Sequence, residues 1–428
     1  MRPPFDELLN RRGAPLDFSA GFNTRAGVRI PTVYNISVME PVYLDHNATT
    51  PLLPRVRAAM LPWLGGRHGN PSSLHRFGQE ARNAVEEARE KVADLLGARP
   101  PEIVFTASGT EGNNAVIFDV ARRGGRPGGH LVISSIEHPS VREAAARLER
   151  EGVEVTRVSP GKDGVVPAAA VIAALRPGTR LVCLMLANNE LGTVQPVAEV
   201  AAACRERGIP VLTDAVQAVG KMPVSVHGLD VDYLVLGAHK FHGPLGAAAV
   251  WVRKGADLAG HLVGGSQERR RRASTENVPA IVGLGEAAAA ALDEGPARFA
   301  RLAALRDRFE AGLGAAVPDA IVHCAGAPRL PNTSHLAFPG VEGEALLIRL
   351  DLAGYAVSTG SACSSGTVEP SRTLLAIGLS PEEALSSLRV SFGLTNTAAE
   401  VDSFLEALSR EVAELRRLSP LAPDQAVA

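Results

Sequence analysis

Apolar residues recur every three or four positions between Ala81 and Leu96 (Ala81, Val85, Ala88, Val92, Leu95, Leu96), and Gly97 follows as a stop. This spacing predicts an amphipathic helix. Beyond it the pattern alternates. Short β-rich apolar runs at residues 103–105, 131–133, 153–155, 181–186, 210–213, 233–236 and 247–252 are mostly separated by helical stretches. Such alternation requires crossover connections, and so predicts a mostly parallel sheet covered by helices on both faces. Sheets of this kind bind ligands at the carboxyl ends of their strands.

After about residue 296 the character changes. Helical sequence rich in Ala, Arg and Leu leads to strand signals at 333–336 and 388–393, with a Gly/Ser-rich loop between them. Thr397 and Glu400 form a capping box for a last helix with the stripe Val401, Phe404, Leu405, Leu408, Val412 and Leu415. The predicted class is α/β, with a large domain over residues 56–295 and a smaller α+β domain over 296–420. A segment 41–55 packs with the smaller domain, and a tail follows at 421–428. Residues 1–40 form a leader without sustained period, ending at Met39 just before a strand signal at 42–44. Two readings stay open for it: a gene-boundary artefact with Met39 as the true start, or a poorly ordered N-terminal arm.

Composition narrows the function classes. The chain has 428 residues, 46% hydrophobic and 21% charged, with a net charge of −2. That is ordinary for a globular protein and gives no general attraction to nucleic acid or anionic membrane. No apolar run reaches the roughly 18 residues of a membrane-crossing helix, and the charged-then-apolar order of a secretory signal is missing. Cys183, Cys204, Cys324 and Cys363 lack paired spacing, which argues for a reducing, cytoplasmic compartment and against a disulfide framework or zinc site. The 11 histidines show no metal-ligand spacing either, and His242 and His261 read as ordinary loop residues.

Three places carry candidate chemistry. Residues 108–114, Ser-Gly-Thr-Glu-Gly-Asn-Asn, stand between a strand and a helix. Small residues such as Gly109 and Thr110 let backbone N–H groups approach a phosphate there, although taken alone an ordinary strand–helix turn explains them. Asp214 closes the run 210–213, and Lys240 follows the run 233–236. A carboxylate and an amine at successive strand ends suit a pyridine cofactor held through its ring nitrogen and through a Schiff base. The third place is the polar loop 358–366, whose Cys363 is either a reachable nucleophile or a tolerated surface cysteine.

Taken together, the chain resembles the cysteine desulfurases, fold-type I pyridoxal 5′-phosphate enzymes related to class V aminotransferases. The likeness runs from about Val42 to Leu415. It rests on Tyr43-Leu44-Asp45-His46-Asn47-Ala48-Thr49-Thr50-Pro51, Gly69-Asn70-Pro71-Ser72-Ser73, Asn188-Asn189-Glu190-Leu191-Gly192, residues 214–217, Ala238-His239-Lys240, residues 267–277 and the cysteine loop with Glu369-Pro370-Ser371. The resemblance implies a large domain with a mostly parallel seven-stranded sheet. It also implies that Lys240 carries the cofactor, Asp214 partners the ring nitrogen and His138 stacks on the ring as an acid–base group. Asn189 and Gln217 match residues contacting substrate or the ring hydroxyl. Thr110 and His239 match phosphate ligands, and Thr275 a phosphate contact made across a homodimer interface. Arg389 matches the clamp on the substrate carboxylate, and Cys363 the sulfur acceptor.

The implied activity converts L-cysteine to L-alanine. Sulfur is held as a Cys363 persulfide for transfer to an acceptor protein, either an iron–sulfur scaffold or a tRNA-thiolating enzyme. The loop length matches the housekeeping and nitrogen-fixation members, with no direct nucleic-acid or membrane partner. The run Arg269 to Arg272 reads as a solvated or phosphate-facing loop near the dimer contact. Two positions depart from the family pattern: Gly237 where a phosphate-binding serine is usual, and Leu245 where lysine is common. Alternatives are a selenocysteine lyase, another β-eliminating or aminotransferring enzyme of this cofactor, and a catalytically weakened sulfur-relay scaffold.

Overall fold

The computed structural model describes residues 41–123, 128–260, 262–359 and 369–418. Expectations for the leader, for Cys363 with the rest of 360–368, for His261 and for the tail lie outside the described residues. The chain enters through β1 (Val42–Tyr43), helix α1 (Pro54–Leu64) and helix α2 (Arg76–Leu96). There follow β2 (Ile103–Thr106), α3 (Gly109–Ala121), β3 (His130–Ser134), α4 (Pro139–Arg150), β4 (Glu154–Val158), α5 (Ala168–Ala174) and β5 (Thr179–Cys183). Next come α6 (Val197–Arg205), β6 (Val211–Asp214), α7 (Val226–Leu229), β7 (Tyr233–Gly237) and β8 (Ala248–Val252).

These strands form a seven-stranded sheet in the order β2-β8-β7-β6-β5-β3-β4. Only β8 runs against its neighbours; the other pairings are parallel. Every residue of β2, β3, β6, β7 and β8 is buried, which is why these strands read as continuous apolar runs. Val104, Leu131, Ile133, Leu212, Val235 and Val250 share one cluster with α3 and α4. Ile103, Phe105, Val132, Leu234, Leu236 and Trp251 share the opposite cluster with α2, α5 and α6. The run expected at 181–186 ends as a strand at Cys183. Residues 184 and 186 still bond β6, through Leu184 N to Leu212 O (3.1 Å) and Leu186 N to Asp214 O (2.9 Å).

A single turn, α8 (Gln267–Arg270), precedes the 39-residue helix α9 (Val278–Ala316). The first half of α9 joins the core under the seven-stranded sheet. Its second half, through Leu302, Leu305, Phe309 and Leu313, joins another cluster. That cluster lies on an antiparallel three-stranded sheet with the order β12-β10-β9, made by β9 (Ile321–Val322), β10 (Thr333–Ala337) and β12 (Ser387–Ser391). Helix α10 (Gly343–Leu352), strand β11 (Tyr355–Ala356), the short helices α11 (Arg372–Ala376) and α12 (Pro381–Leu385), and α13 (Ala398–Leu418) complete the chain. The Thr397–Glu400 capping box forms as the sequence predicts, with Thr397 N to Glu400 Oε2 at 2.8 Å and Glu400 N to Thr397 Oγ1 at 3.2 Å. β1 is two residues long and pairs in parallel with β11, and Leu44 beyond it is buried in the cluster of Phe309 and Phe392.

The arginine run is built into the fold rather than solvated along its length. Glu268, Arg269 and Arg270 have φ of 47°, 57° and 66°, a left-handed turn that costs about 1–2 kcal/mol per non-glycine residue. What offsets that cost is the buried Glu268 carboxylate. It accepts both Nη atoms of buried Arg89 at 2.8 Å and the Phe105 amide at 2.9 Å. Arg271 donates to Pro101 O at 2.9 Å and Arg272 Nε to Glu111 Oε1 at 2.7 Å, while Arg269 and Arg270 stay exposed.

Arg89→Met strands the Glu268 charge in the core. Its expected cost is about 3–5 kcal/mol, read from the denaturant midpoint, and adding Glu268→Gln should restore part of it. Equal stabilities for the single and double variants would refute this account of the turn.

Candidate active site

Five strand ends converge on one edge of the large sheet. β2 ends at Thr106 and leads into α3; β3 ends at Ser134 just before Glu137 and His138. β5 leads to Asn188 and Asn189, β6 ends on Asp214, and β7 ends at Gly237 just before His239 and Lys240. The carboxyl-end rule therefore gathers most of the sequence-predicted residues.

Asp214 is buried (6% exposed). Its Oδ1 accepts from Val216 N at 3.0 Å and its Oδ2 from Asn113 Nδ2 at 2.7 Å. The same Nδ2 lies 2.9 Å from Ser140 Oγ, which lies 2.8 Å from His138 Nδ1. Ser140 N also donates to that ring nitrogen at 3.1 Å, so Nδ1 is an acceptor and the neutral ring carries its proton on Nε2. Burial lowers the His138 pKa, Asp214 opposes this, and Lys240 and Arg142 reinforce it. His138, Asp214 and Lys240 thus act on one another electrostatically.

A second network starts at Lys240. Its Nζ donates to the carbonyls of Asn47 (2.8 Å) and Ala48 (2.7 Å). Asn47, 1% exposed, is the hub. Its carbonyl also accepts from Gln217 Nε2 at 2.9 Å, and its Oδ1 accepts from Lys221 Nζ at 2.9 Å and Asn332 Nδ2 at 3.1 Å. Its Nδ2 donates to Thr333 Oγ1 at 2.9 Å and Asn189 O at 3.3 Å. Arg389, on β12, donates through Nη1 to Asn189 O (2.9 Å) and through Nη2 to Asp45 Oδ1 (2.6 Å). Its buried Nε has no hydrogen-bond partner among the described residues, leaving a guanidinium edge for an incoming carboxylate.

The turn before α3 stays tight because Ser108 caps the helix by accepting from Glu111 N. Gly109 packs so close that a Cβ would lie 2.8 Å from Val216 Cγ2. Thr110 is exposed on the first turn, and Arg272 braces the turn through Glu111. His239 stands at 3.2 Å from Thr49 Oγ1; burial, then Lys240 and Lys221, bring its pKa down to about 4. Thr275 is exposed ahead of α9, and no hydrogen bond among the described residues joins it to the others. The segment containing Cys363 leaves from Ser358, which exchanges backbone bonds with Arg389 (3.2 and 2.7 Å). It returns at Ser371, whose hydroxyl donates to Glu190; Thr373 Oγ1 donates to the same carboxyl at 2.9 Å.

His242 is buried rather than an ordinary loop histidine. Its Nδ1 faces Pro51 O at 2.9 Å, and burial first of all holds its pKa at about 4. Sequence reasoning assigned no role to Asn47, Asn113, Asp45, Glu137 or Lys221. Asn47 and Asn113 lie inside stretches already singled out. The signal for Lys221 was rarity: only five of the 44 basic residues are lysines. Among the described residues no group of His, Cys, Asp and Glu could hold a metal ion, and no helix is long and apolar enough to cross a membrane.

The sequence model of the aminotransferase class-V family matches residues 42–404. A protein of Dictyoglomus turgidum named cysteine desulfurase IscS is 44% identical over 379 residues, covering 89% of this chain and 96% of its own length. A cysteine desulfurase of Cereibacter sphaeroides is 46% identical over 396 residues, covering 90% and 100%. Among solved structures, a NifS-like protein superposes with a TM-score of 0.82 at 36% identity, covering 88% of this chain and all of its own. SspA in complex with cysteine gives 0.73 at 34% identity, covering 82% and 98%.

Glu137, next to His138, supplies a pH test. Its Oε1 accepts from Ser134 Oγ (2.6 Å) and Met185 N (2.8 Å), yet complete burial raises its pKa to about 8. The folded chain keeps this proton while the unfolded chain loses it near pH 4.3. The contribution to stability is therefore full below about pH 4 and is lost as pH rises toward 8. Glu137→Gln should remove that decline, matching the parent near pH 4 and exceeding it by several kcal/mol at pH 8. Parallel stability–pH curves for the two proteins would contradict this.

Proposed function

The chain belongs to the aminotransferase class-V family, and from that premise we propose that it is a cysteine desulfurase: a pyridoxal 5′-phosphate enzyme that converts L-cysteine to L-alanine and holds the sulfur on Cys363 as a persulfide. The observation that carries this reading is the meeting, at one sheet edge, of two hydrogen-bonded chains. One runs Asp214–Asn113–Ser140–His138, and the other Lys240–Asn47–Asn189–Arg389.

The donor set fits the cofactor. Lys240 offers the amine that would hold it covalently, and Asp214 a buried carboxylate for the ring nitrogen. Gln217 and Asn189 offer amides for the ring hydroxyl or substrate. The first turn of α3 at Gly109 and Thr110, together with His239, would take the phosphate, joined across the homodimer interface by Thr275 of the second copy. When bound, pyridoxal phosphate supplies an aromatic sink for electrons released at the substrate α-carbon.

The chain's own groups do the rest. Arg389 binds the cysteine carboxylate through its uncommitted Nε edge, with Asp45 holding the guanidinium in plane. The Lys240 amine takes the Cα proton. His138, neutral and protonated on Nε2, exchanges a proton beside it. The Cys363 thiolate attacks the substrate sulfur, so that a C–S bond breaks as an S–S bond forms and the carbon skeleton leaves as L-alanine. A free thiol has a pKa of about 8.5, so only the thiolate fraction attacks. Moorings at Ser358–Arg389 and Ser371–Glu190 support delivery of that loop beside the substrate carboxylate.

Further partners are an acceptor protein for the persulfide, an iron–sulfur scaffold or tRNA-thiolating enzyme, and a second copy of the chain. The homodimer is supported by large apolar side chains left exposed on the single chain: Leu61, Leu64, Leu74, Phe77, Leu245 and Val263. Cys183, Cys204 and Cys324 are free thiols, which supports a reducing cytoplasm.

Alanine formation from cysteine tests the reading directly. Cys363→Ser should keep cofactor absorbance near about 420 nm and lose sulfide release; full turnover in that variant removes Cys363 from the mechanism. Lys240→Ala should lose borohydride-fixable cofactor, and persistence of that linkage would reassign the amine.

Gly237 has φ −132° and ψ 124°, and a Cβ there would sit 3.6 Å from Val216 Cγ1, in ordinary contact. Gly237→Ser should therefore fold normally. It should retain cofactor up to about fivefold more tightly, the worth of one hydrogen bond near 1 kcal/mol. Unchanged or weaker retention counts against Gly237 as the missing phosphate ligand.

A further inference from the structure

Lys221 is 4% exposed and lies outside every role assigned so far. Its Nζ donates to two acceptors among the described residues, Gln217 Oε1 at 2.6 Å and Asn47 Oδ1 at 2.9 Å. Two acceptors satisfy the two N–H bonds of a neutral amine, whereas an ammonium would bury a third donor. Lys221 and Lys240 both line a small enclosure of about 10 Å³, together with His46, Thr50, His242 and Asn332; that is room for about one water molecule. In a chain that uses arginine for nearly all its positive charge, two of five lysines meet at one enclosure.

We infer that Lys221 is a positioning residue for Lys240: it pins the Asn47 and Gln217 amides that set the resting place of the Lys240 amine, and it forms with Lys240 a pair of bases that accommodates one proton. This inference rests on the cofactor reading above and specifies how that site prepares its amine. The groups facing Lys221 are Asp45 and His46 from the entering segment, His239, Lys240 and His242 after β7, and Arg389 from β12. Asp45 alone among them is acidic. Burial, then Lys240 and Arg389, hold the Lys221 pKa well below that of a free lysine, with Asp45 opposing. Because like charges cannot both form in such a space, a proton on Lys221 implies a free amine on Lys240. Lys221 therefore adds a state in which Lys240 is neutral, and widens the pH range over which that amine reacts.

The test uses the full-length apoprotein and pyridoxal 5′-phosphate as an aldehyde probe. Capture at Lys240 is followed from about pH 6 to 10 by absorbance and by borohydride fixation with peptide mapping. Lys221→Met removes both the base and the donors, while Lys221→Gln keeps donors for the two amide oxygens. In each, the midpoint of the capture profile should move up by about one pH unit, with the circular dichroism spectrum unchanged. A Lys221→Gln profile superimposed on the parent overturns the inference. If neither variant folds, spectra of ¹⁵N-lysine-labelled parent apoprotein decide: a Lys221 amine that titrates with the exposed lysines overturns it, and one neutral at pH 8 supports it. Absence of capture at Lys240 in the parent instead removes the cofactor reading, and this inference with it.

Discussion

A buried amide that leaves none of its hydrogen-bonding atoms idle, Asn47, holds the site together. Polar atoms out of water must find partners or cost a few kcal/mol each. The segment after β1 carries Asn47 into a seam where Lys240, Gln217, Lys221, Asn332 and Thr333 all need one. The seven-stranded sheet supplies Lys240 and Gln217, and the three-stranded sheet side supplies Asn332 and Thr333. Asn47 thus fixes both sheets against the same atoms. Gly393 is part of that fit, since a Cβ there would fall 2.0 Å from the His46 ring.

The charges follow from the same burial. The edge gathers Lys221, Lys240 and Arg389 against Asp45 and Asp214, with His46, His138, His239 and His242 all driven toward the neutral ring. Neutral imidazoles accept or give a proton without first being stripped of one. Glu137 shows the opposite response: with only neutral donors on its carboxyl and burial against it, it stays protonated and serves as a structural acceptor for Met185 N.

Much of the scaffold was legible because strands buried on both faces must be apolar throughout. That exposed the runs near 103–105, 131–133 and 233–236, and the strand-end rule then singled out Asp214 and Lys240. Arg389, His138 and Asn189 came from resemblance, since nothing in their immediate spacing distinguishes them. Asn47, Asn113 and Lys221 had no role assigned for a physical reason. Each works by joining segments 100 or more residues apart, or by sitting one helical turn from a residue already explained. The arginine run misled in part because local charge density says nothing of distant acceptors; Glu111 and the Pro101 carbonyl decide which of its members are half-buried.

The left-handed turn at residues 268–270 shows why such strain persists near chemistry. Three non-glycine residues in that region are stable only if the surroundings over-determine them, and Arg89, Phe105 N and Glu111 do so. The result delivers Arg272 to Glu111, and Glu111 in turn accepts from Ala107 N at 2.9 Å. Those contacts stiffen the turn that starts α3 from behind. A turn built from glycine and small hydroxyl residues has little side-chain bulk with which to hold its own shape. Its rigidity must come from elsewhere, and here it comes from Arg272 on Glu111 and from the buried Arg89–Glu268 pair beside β2.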